Sequence, residues 1–213
     1  MRWRTCFASL AVLGLCSLAA ANGQSASSSK MATKPPLEVG TLRPTLDVSP
    51  LDQARKPTWA SLRGKVVVVD FWATWCAPCI ASFGHMNDLK ATMAGKPVEF
   101  LSVSYETKGQ VQPVLEKHPL TAAVYLDNDF RTFKAFNAWG IPDLFVFDKD
   151  GRLAAVVYPK DLTEALLQEV IDGKVPKVQQ EMAWGDAKGA EDYFRSLRDA
   201  AVKKEQTQPG GVQ

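Results

Sequence analysis

The sequence predicts an α/β fold in which a central mixed β-sheet is flanked by helices. Three observations lead there. Residues 66–69 are four consecutive valines, continued by Asp70, Phe71 and Trp72, which is the pattern of a strand buried on both faces. Downstream of it, strand-like and helix-like segments alternate, as they do when helices cover both sides of a sheet. Two late apolar runs, residues 144–148 and 153–158, flank Lys149-Asp150-Gly151. Asp-Gly between such runs signals a hairpin, so part of the sheet is antiparallel.

The elements follow in order. Residues 35–60 carry Pro35, Pro36, Pro44, Pro50 and Pro57, so this stretch is expected to be extended and turn-rich, wrapping a core. After the valine strand a helix is expected over 77–94, then a turn at Gly95-Lys96-Pro97 and a strand over 98–104. A helical stretch near 110–117, a strand over 122–126 and a helix over 130–138 come next. The hairpin follows, and Asp161-Leu162-Thr163 opens a helix running to Ile171, with Gly173 beyond its end as a stop signal. Beyond Pro176, residues 187–204 read as one more helix, with Tyr193, Phe194 and Leu197 on one face. The last eight residues, Gln-Thr-Gln-Pro-Gly-Gly-Val-Gln, have the composition of a disordered tail.

The N-terminus reads as an address. Arg2 and Arg4 precede an almost unbroken apolar run from Phe7 to Ala21, with Ala19 and Ala21 spaced as an Ala-x-Ala cleavage site. That is the layout of a secretory signal peptide, and the run is short for a membrane span. The expected organisation is a signal peptide at 1–21, a Ser- and Ala-rich linker at 22–36, one domain at 37–174 and an extension at 175–213. The chain is thereby expected to be exported, to the periplasm of a bacterium. A membrane tether through an uncleaved leader or a lipidated Cys16 is the alternative, although Leu15 stands where lipoprotein signals have a small residue.

Composition narrows the function. With 46% hydrophobic and 23% charged residues, the chain can bury a core and stay soluble. Its formal charge of +2 is supplied by Arg2 and Arg4, and without them 23 basic residues face 23 acidic ones. A neutral protein has no general electrostatic hold on nucleic acid, which excludes nucleic-acid binding. Of the four cysteines, Cys6 and Cys16 leave with the leader. Cys76 and Cys79 remain, in a compartment expected to be oxidising.

Trp75-Cys76-Ala77-Pro78-Cys79 directly follows the buried strand and opens the helix. Cysteines at i and i+3 of a helix share a face and lie close enough to bridge. Cys76 sits where unpaired backbone N–H groups favour an anion, so its thiol is expected to ionise easily and to be the attacking nucleophile. Pro78 is tolerated because first-turn N–H groups have no intrahelical partner. Cys79, one turn deeper, is placed to resolve a mixed disulfide. Three other readings compete. A zinc site needs two further ligands beyond the cysteines, with His85 and His118 the available histidines. A structural disulfide closing so short a loop gains little. A peroxidase role needs a polar partner for the thiol, which neither Thr74 nor Trp75 settles.

Residues 66–79, Val-Val-Val-Val-Asp-Phe-Trp-Ala-Thr-Trp-Cys-Ala-Pro-Cys, resemble the active-site strand and helix start of the thioredoxin superfamily. Within this redoxin family the chain is most similar to the exported TlpA-like and ResA-like thiol–disulfide oxidoreductases. The resemblance extends from about Gly40 to Lys174, and residues 109–126 resemble the extra helix–strand unit of TlpA-like members. It implies a thioredoxin-like fold and assigns roles by position. Asp70 falls where thioredoxins keep a buried aspartate beneath the resolving cysteine. Burial would raise its pKa and let it serve as a base for Cys79; a hydrogen-bonded structural Asp is the alternative. Ile141-Pro142 matches the cis-proline loop, whose backbone pairs with an extended stretch of substrate; an ordinary turn proline is the alternative. Trp72 reads as core packing, and Trp75 as a wall beside an exposed Cys76.

Departures from the family pattern carry information as well. Ser82 and Gly84 stand where TlpA-like proteins commonly have a glutamate and a proline, which removes one proton-handling group and a kink. Asp143 replaces a common threonine and puts a charge beside the expected substrate groove. His85 lies nine residues after Cys76 on the expected helix and should face away from it; it reads as a surface histidine. His118 carries no argued chemistry.

The resulting expectation is a protein-disulfide reductase. Cys76 attacks a substrate disulfide, and Cys79, helped by Asp70, releases the reduced substrate. No nicotinamide or flavin fingerprint is present, so no cofactor is expected. The implied partners are a disulfide-containing protein substrate and a thiol electron donor at the membrane or in the periplasm, and the chain is expected to be a monomer. The same residues run in reverse would give a thiol oxidant or isomerase. A non-catalytic binding module, with the C-terminal helix docking a partner, is the rival of a different class.

Overall fold

Val66–Trp72 (β2) is the strand around which the computed structural model is arranged; the structure describes residues 37–52, 55–177 and 187–207. The expected leader and linker, and the terminal tail from residue 208, lie outside the described residues. Every residue of β2 is buried. It pairs in parallel with β3 (Val98–Ser104) and antiparallel with β5 (Asp143–Phe147). Beyond β3 come β4 (Ala123–Leu126), parallel, and the two-residue β1 (Ser49–Pro50), antiparallel. Beyond β5 lies β6 (Leu153–Val157), also antiparallel. The sheet order is therefore β1-β4-β3-β2-β5-β6, a mixed sheet of the α/β class that the alternation and the hairpin signal predicted.

Side chains alternate across β2 and feed two cores. Val66 and Val68 meet Met86 and Leu89 of α2 (Phe83–Thr92) and Leu166, Leu167 and Val170 of α5 (Glu164–Ile171). Val67, Val69 and Phe71 face the other side, where Val111 of α3 (Lys108–Lys117), Phe133 and Phe136 of α4 (Arg131–Phe136) and Phe194 of α6 (Ala187–Thr207) are packed. The second core is aromatic. Phe71 meets Phe133, Phe136 and Phe145 with ring centroids 4.8–5.5 Å apart, in the edge-on or tilted arrangements that aromatic quadrupoles prefer.

The proline-rich stretch crosses from one edge of the sheet to the other. Gly40 N donates to Leu153 O at 2.7 Å and Leu153 N to Thr41 O at 2.9 Å, beside β6; further along, Ser49–Pro50 pairs with β4. Between them Arg43 lies over the hairpin turn and bonds Asp150 O. Gly151, at φ +76°, is required there twice over: the angle is left-handed, and a Cβ would stand 1.8 Å from the Arg43 guanidinium.

Several element bounds differ from the sequence reading. The single helix expected over 77–94 is two, α1 (Ala77–Ala81) and α2, separated at Ser82. Its hydroxyl and its N–H both donate to Cys79 O, at 2.6 and 3.1 Å, so the turn tightens to i−3 bonding. α3 starts two residues earlier than expected because Thr107 and Gln110 form a capping box. α4 is shorter at both ends, bounded by Phe130 and Asn137 in left-handed conformations, φ 58° and 57°. Residues Pro159–Asp161 form a 3-10 turn, and Thr163 caps α5 by accepting Leu166 N. Among the described side chains of α6 only Phe194 is buried; Tyr193, expected on the same face, is 55% exposed.

Candidate active site

β2 ends at Trp72, the chain turns through Ala73, Thr74 and Trp75, and Cys76 becomes the N-cap residue of α1. Cys76 N donates to Ala73 O at 3.0 Å, closing the turn. Pro78, in the first helical turn, has no N–H to satisfy and fits without loss. Cys79 N donates to Cys76 Sγ at 3.3 Å, so the sulfur takes the capping role that an oxygen usually fills. The two cysteines form a disulfide with their Cα atoms 5.3 Å apart. A backbone N–H aimed at Sγ stabilises negative charge on that atom once the bond is reduced.

Cys76 is only 3% exposed, which corrects the expectation of an exposed nucleophile. Both cysteines belong to the aromatic core cluster, together with Trp72 and Phe83. The exposed neighbour is Trp75, at 43%. Its Nε1 donates to the Tyr105 hydroxyl at 2.6 Å, and its ring packs edge-on against Phe194 of α6 at 5.5 Å.

Beneath this turn lies a carboxylate that the sequence reading missed. Glu106 is buried; its Oε2 accepts Thr74 N at 2.6 Å and its Oε1 accepts the Thr74 hydroxyl at 2.7 Å, with Ser104 Oγ donating at 3.2 Å. Burial pushes its pKa up, against the lowering effect of the bonds from Thr74 and Ser104. An acid just past a strand end reads as a surface residue in sequence, and only the folded chain brings residue 106 beneath residue 74. The Thr74 hydroxyl is thereby engaged with Glu106 rather than with a thiol. Glu106→Gln exchanges one acceptor for an N–H donor and leaves a Thr74 donor unmatched. We expect a loss of about 1–3 kcal/mol in urea unfolding of the oxidised protein; a loss below about 0.5 kcal/mol would show that Glu106 does not hold the turn.

Asp70 pairs with Ser102 across β2 and β3, and its Oδ2 accepts the Ser102 hydroxyl at 3.1 Å. It shares the face of β2 that carries Val66 and Val68, the side covered by α2. Burial raises its pKa to about 7, with the Ser102 bond working in the opposite direction. A buried carboxyl that titrates near neutrality can hold or take up a proton under working conditions.

The Ile141–Pro142 peptide bond is cis. It immediately precedes β5, whose first residue, Asp143, stands opposite Phe71, so the loop lies at the end of the sheet from which the Cys76 turn emerges. Ile141 is partly buried against the cluster that contains both cysteines. Asp143 does not put a charge beside an open groove, as the sequence suggested: it is 0% exposed, with its carboxylate against Gly140. His85 is exposed and its Nε2 lies 2.9 Å from Leu162 O, away from the cysteines. Among the described residues no group of three or more His, Cys, Asp or Glu side chains is placed to hold a metal ion.

Comparisons with known proteins agree with this geometry. The model of the AhpC/TSA family matches residues 39–156, which include β2, the cysteine turn and the cis-proline loop. Thiol-disulfide oxidoreductase ResA of Geobacillus thermodenitrificans (strain NG80-2) is 30% identical over 141 residues, covering 66% of this chain and 80% of that protein. ResA of Bacillus anthracis is 28% identical over 136 residues, covering 63% and 78%. Among solved structures, one from Chlorobium tepidum, assigned as thiol:disulfide interchange protein DsbE, superposes with a TM-score of 0.57. It is 27% identical and covers 64% of this chain and 97% of its own.

Proposed function

The chain belongs to the AhpC/TSA family, and from that membership, with relatives named as thiol–disulfide oxidoreductases, we propose that it reduces disulfide bonds in exported proteins. The observation that carries the reading is the Cys76–Cys79 disulfide at the start of the helix that follows β2, with a backbone N–H directed at Cys76 Sγ.

In the reduced enzyme the Cys76 thiolate attacks one sulfur of a substrate disulfide. An S–S bond forms between enzyme and substrate, and the other substrate sulfur leaves as a thiolate. The Cys79 thiol, giving its proton to Asp70 by way of a water molecule, then attacks Cys76 Sγ. The mixed disulfide breaks, the second substrate thiolate departs, and the Cys76–Cys79 bond remains. Two electrons have passed from the dithiol to the substrate. Asp70 suits the proton's destination because burial holds its pKa to about 7. Trp75 flanks the nucleophile, and the backbone at Ile141 and Pro142 supplies the edge on which an extended substrate segment pairs. A thiol electron donor at the membrane or in the periplasm returns the disulfide to the dithiol. The domain of residues 37–174 works as a monomer, delivered by the leader at 1–21 and followed by the extension at 175–213.

The test is insulin reduction by dithiothreitol with the protein present in catalytic amounts. The wild type should accelerate it and the variant with serine at both positions 76 and 79 should not. Equal rates for the two would leave the fold as a binding module.

A further inference from the structure

Cys76 is buried while its chain neighbour Trp75 is 43% exposed, so Trp75 is the exposed aromatic side chain next to the cysteine in the chain. That ring is not alone at the surface. Tyr193 of α6, 55% exposed, meets it edge-on with centroids 6.2 Å apart. Of the large apolar or aromatic side chains that are this exposed, only these two form a ring–ring contact among the described residues.

The pair is held rigidly from below. Phe194, next to Tyr193, is 4% exposed; it stacks on Tyr105 at 5.2 Å and 9°, and packs against Phe133 and Trp139. Tyr105 in turn accepts the Trp75 indole N–H. Glu191 ties the start of α6 to Lys134 of α4 at 2.7 Å, and the Arg195 and Arg198 guanidiniums each lie 5.0 Å from the centre of the Phe130 ring. Rigid rings with one open face give contact area at little cost in conformational entropy.

We propose that α6 completes the substrate-docking surface, and that Trp75 and Tyr193 together receive apolar side chains flanking the cysteine of an extended substrate segment. This rests on the disulfide-reductase reading, because the occupant is the chain whose disulfide Cys76 attacks. The spacing fits it: alternate side chains of an extended strand point to the same side about 7 Å apart, close to the 6.2 Å between the two rings. α6 lies beyond residue 156, where the family match ends, so Tyr193 as a specificity-determining residue stands outside the part of the chain that the family model matches.

The test uses two disulfide-linked peptides that differ only at the residues immediately before and after the cysteine, which are two apart and so share a side of the strand, Phe in one and Ser in the other. Wild type should reduce the Phe peptide with kcat/KM on the order of a hundredfold higher, mostly through KM, since half-burying each of the two side chains is worth about tenfold. Tyr193→Ala should shrink the preference to about tenfold, the share left to Trp75, and Tyr193→Phe should keep it. A wild type that reduces both peptides equally, or a Tyr193→Ala enzyme that keeps the preference, overturns the docking role and leaves the reductase reading standing. A wild type that reduces neither peptide, nor 2-hydroxyethyl disulfide, overturns both.

Discussion

Cys79→Ser is expected to accumulate a covalent complex with the substrate, and Cys76→Ser to form none. The asymmetry follows from position. Cys76 caps α1 and its sulfur receives the Cys79 backbone N–H. That contact comes from the main chain of residue 79 and survives the side-chain change, so Cys76 can still attack. Without the second sulfur, nothing within the enzyme releases the mixed disulfide. Cys76→Ser removes the nucleophile itself, and reduction of a protein disulfide should fall on the order of a thousandfold or more. Non-reducing electrophoresis after mixing each reduced variant with oxidised insulin reads the result directly. A complex formed by Cys76→Ser and not by Cys79→Ser would reverse the assignment.

Asp70→Asn is expected to change both stability and rate, in a pH-dependent way. Asp70 in the folded protein keeps its proton up to about pH 7, whereas an unfolded chain releases it near about pH 4. Between those values the folded state binds more protons than the unfolded state, so this group's contribution is fully present at low pH and is lost as pH rises to about 7. The shift corresponds to about 4 kcal/mol. Asp127, raised to about 6 by burial, and Glu106, also raised by burial, give slopes of the same sign. The Asp70 contribution is therefore the difference between wild type and Asp70→Asn, measured by urea unfolding of the oxidised proteins from pH 4.5 to 8. The variant should gain on the wild type as pH rises. If Asp70 is the proton acceptor for Cys79, the same variant should slow resolution of the mixed disulfide about a hundredfold at pH 7. A parallel stability profile for the two proteins would mean that Asp70 titrates in the ordinary carboxylate range.

The most legible parts of the chain were those whose signal is local. The valine run of β2 and the bounds of β3 needed only apolar runs with turn residues beside them, and the hairpin needed only Asp-Gly between two such runs. The cysteine pair was equally legible, because a helix start places i and i+3 together whatever surrounds it. The capping box at Thr107 and Gln110 is also written locally, as Thr-x-x-Gln at the start of α3. Other features depend on residues far apart. Ser49–Pro50 is two residues long and contains a proline, so only its pairing with β4 makes it a strand. Glu106 and Asp143 are acids that local reading sends to the surface, and both are buried at the end of the sheet that carries the cysteines. Tyr193 and Phe194 are adjacent aromatics on one helix. Which of them enters the core is decided by Tyr105, Phe133 and Trp139, not by α6.

If the Cys76–Cys79 couple delivers electrons to protein disulfides, it must itself be reducing. The most direct test is the reduction potential of that couple in the purified protein, measured by equilibration with glutathione redox buffers. A value near that of thioredoxin, about −270 mV, is the predicted result. A value above about −150 mV would make the pair an electron acceptor and contradict the reductase reading.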